Sequence, residues 1–182
     1  MPSSVASSVA SSRAPLADEI QFIPTRLLDD LIQRRPLTHT VTDDLSSFTI
    51  VTLRALLKRI STEGQSDTTE QELLALLSTQ SPFQLWQNRQ QVRDMIKGFA
   101  EEAEDSDGSV DSRASSCSRG FAPFVPALHD MLEVNDEQRW ETHRLRAEGK
   151  LDRITADSQI TEQYYREYLR ALRRMPEDID QE

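Results

Sequence analysis

The sequence predicts an all-α protein. Leu, Glu, Gln and Arg are abundant, Gly occurs only 5 times in 182 residues and aromatics make up 6%, a composition that favours helices over Gly-punctuated, β-branched sheets. Apolar residues also recur at three- and four-residue spacing in each long segment. A hydrophobic content of 37% is low for a chain folded throughout. The expected organisation is therefore a small N-terminal helical bundle and a C-terminal helical hairpin or pair of extended helices, with disorder before and between them.

Residues 1–20 carry a repeated SSVA unit and read as a low-complexity, Ser-rich disordered tail. They lack the apolar run and basic flank of a secretory signal, and Arg13 alone is too little for a mitochondrial presequence. The first helix is expected at about 25–35, where Pro24 and Thr25 lead into Leu27, Leu28, Leu31 and Ile32 and Pro36 stops the pattern. A second is expected at 45–63, with Phe48, Val51, Leu53, Leu56, Leu57 and Ile60 as its apolar positions and Gly64 as C-terminal cap. Its β-branched opening, FTIVT, is compatible with a strand.

Asp67 with Glu70, or Thr68 with Gln71, offers a capping box for a third helix at 67–79. Ser81 and Pro82 give the fourth, at 82–100, the N-cap and first-turn proline that helices favour. Phe83, Trp86, Val92, Met95, Ile96 and Phe99 can line one broad face of it. Together, 21–100 form a helical domain of a size that folds alone but only marginally.

Composition then breaks. Residues 101–120 read as an acidic, Ser-rich disordered linker, with Glu101, Glu102, Glu104, Asp105, Asp107 and Asp111 and no basic residue as far as Asp111. Beyond it, 121–175 is the expected C-terminal helical segment. Pro123 and Pro126 delay its first helix, which is expected from about Asn135 through Trp140 and Leu145 toward Ile154, weakened in its middle by Gly149. A last helix, from Thr155 or Ser158 to Met175, carries Tyr164, Tyr168, Leu172 and Met175 as one stripe with Tyr165 and Leu169 beside it. Residues 176–182 are an acidic tail.

Chemistry is sparse in this chain. Within DSDGSVD, placing Gly108 at position 6 of a calcium loop leaves Ala103 at position 1 and Ala114 at position 12, so both ends of the cage are missing. His39, His129 and His143 lack zinc-ligand spacing, and the single Cys117 supports neither a disulfide nor a thiolate cage. No nucleotide-, hydrolase- or metalloprotease-type motif is present. Asp29, Asp30, Asp43 and Asp44 fit the polar side of a short helix and N-terminal helix turns better than an acid/base pair. No catalytic residue, metal or cofactor is expected, and the protein is not expected to be an enzyme. An enzyme would need Asp29, Asp44 and a histidine gathered in one pocket.

The net charge of −10 argues against coating of nucleic acid or anionic membrane by the whole protein, and no segment reaches the length of a membrane span. A single cysteine suits a reducing nuclear or cytoplasmic location. The helix-turn-helix-like stretch TLRALLKRISTEGQSDTTEQELLALL superficially resembles that of SAP-type DNA-binding modules. Its connection is longer, however, and Glu70 and Glu72 stand where basic groups belong, so no family is claimed.

The leading expectation is a non-catalytic helical interaction subunit or adaptor of a larger nuclear or cytosolic complex. Its partner-binding residues would be Trp140, Tyr164, Tyr165, Tyr168, Leu169, Leu172 and Met175, because Tyr and Trp carry much of the energy at interfaces. Ser109, Ser112, Ser115 and Ser116 are candidate phosphorylation sites near Arg113. The alternative is nucleic-acid association through a basic face from Arg139 to Arg174, where nine basic residues stand against six acidic ones over 139–175.

Overall fold

Every regular element among the described residues is helical, and none of these helices is long and apolar enough to cross a membrane. The structure, a computed structural model, describes residues 20–37, 39–64, 66–105, 117–150 and 158–176. The expected N-terminal and acidic tails and the four candidate serines lie outside these residues. Six helices follow in order: α1 (Thr25–Ile32), α2 (Val41–Thr62), α3 (Thr68–Leu76), α4 (Pro82–Asp105), α5 (Val125–Ala147) and α6 (Ser158–Leu172). Short 3-10 turns at Ile20–Phe22 and Ala122–Phe124 precede α1 and α5.

Local signals account for most boundaries. At the start of α3, the Asp67 carboxylate accepts from the Thr69 N–H at 2.8 Å and Glu70 accepts from the Asp67 N–H at 2.8 Å, the reciprocal bonds of a capping box. Thr40 precedes α2, and its N–H donates to the Asp43 carboxylate at 2.7 Å. This helix therefore begins four residues earlier than its apolar stripe suggests, and FTIVT is helical.

Three of the described helices end in left-handed residues, and Gly64, at φ 72°, follows α2 at the expected C-terminal cap position. Gly149, at φ 66°, closes α5: its N–H donates to the Arg146 carbonyl, and the Lys150 N–H donates to that of Leu145. The glycine is thus a terminator rather than a weak middle. Arg34 does the same for α1 at φ 54°, with its N–H on the Leu31 carbonyl and the Arg35 N–H on that of Asp30. A Cβ is unfavourable in this conformation, and the Arg34 side chain is exposed. Arg34→Gly is therefore expected to raise stability by about 0.5 to 1 kcal/mol in urea denaturation, after the glycine's greater freedom in the unfolded chain is subtracted.

Helix α5 starts at Val125, ten residues before the expected position. Pro126 sits in its first turn, where a missing N–H breaks no intrahelical bond. The stretch read as a linker likewise has structured ends: α4 runs on through Asp105, and Cys117 is 5% exposed.

The core has two parts. Leu53, Leu57 and Ile60 of α2, Leu73 of α3 and Ile96 of α4 pack with Cys117, Phe121, Phe124, Val125 and Leu128 in one cluster. The residues on either side of 101–120 therefore share a core. Glu70, only 1% exposed, ties the two stretches together, because its second carboxylate oxygen accepts from the Ser118 N–H at 2.8 Å. In the second cluster, Leu45 of α2 and Met131 and Val134 of α5 enclose Tyr168 and Ala171 of α6.

A hydroxyl joins the three helices of this second cluster. Thr49 Oγ1 donates to the Leu45 carbonyl at 3.0 Å and accepts from Asn135 Nδ2 and the Tyr168 hydroxyl, each at 2.8 Å. All three positions of that oxygen are filled. Thr49→Val leaves two buried donors without an acceptor, and a loss of about 2 to 3 kcal/mol is expected. Adding Tyr168→Phe to that variant should cost less than it does in the wild type, a coupling that a double-mutant cycle measures directly.

Candidate functional site

The Tyr- and Leu-bearing stripe of α6 is divided between core and surface. Tyr168 is 2% exposed, with its hydroxyl bonded to Thr49 and its ring edge-on to Phe48 at 6.2 Å between centroids. It therefore serves the protein's own core, and burial pushes its hydroxyl pKa upward. Tyr164, Tyr165, Leu172 and Met175 are half-buried against the same cluster. Tyr164, on the α5 side, is raised to about 12 by burial and by the carboxylates of Glu141, Glu137 and Glu167. Leu169 is 46% exposed and Trp140, on the outer face of α5, is 72% exposed.

Helical periodicity shows what borders Leu169. Glu167, Arg170 and Arg174 of α6 face a groove shared with Asp130, Glu133 and Glu137 of α5. Tyr165, Leu169 and Leu172 therefore project on the opposite flank of α6. The contact between Phe48 and Tyr168 places α2 on that flank. Phe48 and Val51, one turn apart on α2, are 47% and 43% exposed; Phe48 borders the seam between α2 and α6, whereas Val51 falls on the outer side of α2.

Phe48 and Val51 are among the apolar positions expected of the second helix, but they lie outside its buried stripe. A stricter count of positions gives the signal that was available: Leu45, Thr49, Leu53, Leu56 and Ile60 form the buried stripe of α2, and 48 and 51 fall off it. A pair of helices exposing Phe48 and Leu169 is suited to burying them against another apolar surface.

Asp43 and Asp44 lie in the first turn of α2, as expected, but Asp30 is not on the polar surface expected of it. Asp30 is fully buried and holds three guanidinium groups. Arg26 Nη1 donates to it at 3.0 Å, Arg146 from α5 grips it with two bonds of 2.7 and 2.9 Å, and Arg35 Nε lies 3.0 Å away. Arg26, itself 6% exposed, also forms a two-pronged pair with Asp43, at 2.9 and 2.5 Å. Asp29 pairs with Arg35 and has His143 Nε2 at 3.9 Å. Burial, together with Arg146, Arg35 and Arg139, outweighs Asp29 and holds His143 below its ordinary pKa.

Asp44 pairs separately with His39 at 3.3 Å, both well exposed. The two aspartates that an acid/base site would need thus engage different histidines. No group of three His, Cys, Asp or Glu residues able to hold a metal ion occurs among the described residues.

Of the nine basic residues between Arg139 and Arg174, six engage carboxylates. Arg139 pairs with Asp136, Arg144 with Glu141, Arg146 with Asp30, Lys150 with Glu148, Arg166 with Glu162 and Arg174 with Asp130. Arg170 and Arg173 are exposed, and Arg153 lies outside the described residues. No protein-family model, curated protein sequence or solved structure matches this chain.

Proposed function

We propose that this protein is a non-catalytic helical interaction subunit or adaptor of a nuclear or cytosolic assembly. In this reading it binds a protein partner through the α2–α6 seam, with Trp140 as a second contact. The observation that carries the reading is the seam itself: Phe48 and Leu169 remain nearly half exposed beside the core cluster that holds Tyr168. An apolar helix pair gains roughly 25 cal/mol for each Å² it removes from water on binding, and an exposed Trp is the residue type most often found to dominate such contacts.

The test compares the full chain with the double variant Phe48→Ser, Leu169→Ser and, separately, with Trp140→Ser. Each is purified from its native cell and its co-purifying proteins are quantified by mass spectrometry. At least tenfold depletion of specific partners is expected with the double variant, while far-ultraviolet circular dichroism and the denaturation midpoint stay close to wild type. Equal recovery of the same proteins by wild type and both variants would sink the reading.

A further inference from the structure

A second feature is polar, and neither the α6 stripe nor the seam uses it. Between α1, α2, α4 and α5 lies a partly enclosed cleft of about 50 Å³. At roughly 10 to 15 Å³ per water-sized position, it holds a cluster of a few small oxygen atoms and is far below the size of a nucleotide or drug-like site. Its walls carry four guanidinium groups, Arg26, Arg89, Arg93 and Arg139, but only two carboxylates, Asp43 and Asp136. In a chain with a net charge of −10, that is a local reversal of sign.

The pairing in and around the cleft leaves one guanidinium, that of Arg89, without a carboxylate. Asp43 is held by Arg26, and Arg93 binds Asp94 at 3.0 Å as well as Asp136 at 2.5 Å, which Arg139 approaches at 3.5 Å. Arg26 also reaches Asp30, but that carboxylate already faces Arg35 and Arg146. Arg89 is 4% exposed and donates only to neutral oxygens: the Gln21 carbonyl at 2.8 Å, the Ile23 carbonyl and Thr25 Oγ1 at 3.3 Å. Its Nε has no hydrogen-bond partner.

Gln138, 5% exposed, also lines the cleft, and its Nε2 donor is likewise unpartnered. Burial lowers the Arg89 pKa to about 9, which still leaves it charged at neutral pH. A buried, uncompensated guanidinium beside an idle amide donor is costly unless something supplies acceptors and negative charge.

We propose that this cleft binds a small oxyanion of the phosphate class, with Arg89 and Arg139 supplying its counter-charge and Gln138 a hydrogen bond. A tetrahedral anion matches the volume and offers acceptors to several donors at once, the arrangement in which arginines bind phosphate best.

The experiment uses the full chain and follows thermal unfolding and isothermal titration calorimetry. Sodium phosphate is compared with sodium chloride at equal ionic strength, and O-phospho-L-serine serves as a second probe. A saturable rise in Tm with phosphate and none with chloride is expected, because only a ligand bound to the folded state shifts the equilibrium in this way. Arg139→Gln, at the more open edge of the cleft, should weaken binding at least tenfold, whereas Lys97→Gln, outside the cleft, should leave it unchanged.

Arg89→Gln should abolish binding. If that variant does not fold, Arg139→Gln and Arg93→Gln carry the test. Tighter binding of phosphoserine than of inorganic phosphate would assign the site to a phosphate monoester, and the reverse to the free ion. Equal shifts with phosphate and chloride, or phosphate binding undiminished in Arg139→Gln, would overturn the proposal.

Discussion

Asp30→Asn is expected to cost about 3 to 5 kcal/mol, a large part of the roughly 5 to 15 kcal/mol that holds a domain folded. The amide keeps the size of the carboxylate but removes the charge at the centre of Arg26, Arg35 and Arg146, and it points an N–H₂ donor at groups that are themselves donors. The penalty arises from what is left behind, Arg146 without its anion and Arg26 and Arg35 with one carboxylate fewer, rather than from the net worth of the pairs. Equilibrium denaturation in guanidinium chloride measures it. An exposed pair is the control: Glu162→Gln, which removes the partner of Arg166 on the surface of α6, should change stability by less than about 0.5 kcal/mol. A loss at Asp30 no larger than that at Glu162 would mean that the cluster is solvated in solution.

The second large effect is expected at Phe121. This side chain is fully buried among residues of α2, α3 and α4 although it lies beyond the stretch read as a linker. Phe121→Ala should destabilise by about 3 to 5 kcal/mol through lost apolar burial and the cavity left behind. The form of the transition is as informative as its midpoint. If the shared core makes residues 20–105 and 117–176 one cooperative unit, tryptophan fluorescence, which includes Trp86 of α4 and Trp140 of α5, and circular dichroism should give coincident curves displaced together. A displaced first transition followed by an unchanged second one would show two independently folding parts.

What could be read in the sequence, and what could not, follows the range of the interactions concerned. The starts of α3 and α4 are legible because Asp67 with Glu70, and Ser81 before Pro82, act within one turn of chain. The start of α5 is hidden because two prolines mimic a loop, although in a first helical turn they cost nothing. The burial of Asp30 could not be foreseen, since it depends on Arg146, 116 residues away in sequence. Glu70 shows both cases in one side chain: its capping oxygen is readable from residue spacing, while the oxygen on the Ser118 N–H is not. In α6 the apolar residues were legible as a stripe, but its division between core and surface was not, because that depends on Phe48 and Thr49 of α2.

The bond from Glu70 to Ser118, with the burial of Cys117 and Phe121 beside it, also defines the polymer physics of the stretch between them. Both ends of 106–116 are anchored to one body, so this stretch closes a loop and cannot act as a spacer whose length sets the reach of one half from the other. Closure entropy grows only logarithmically with length, so doubling the number of residues there would cost about 0.6 kcal/mol.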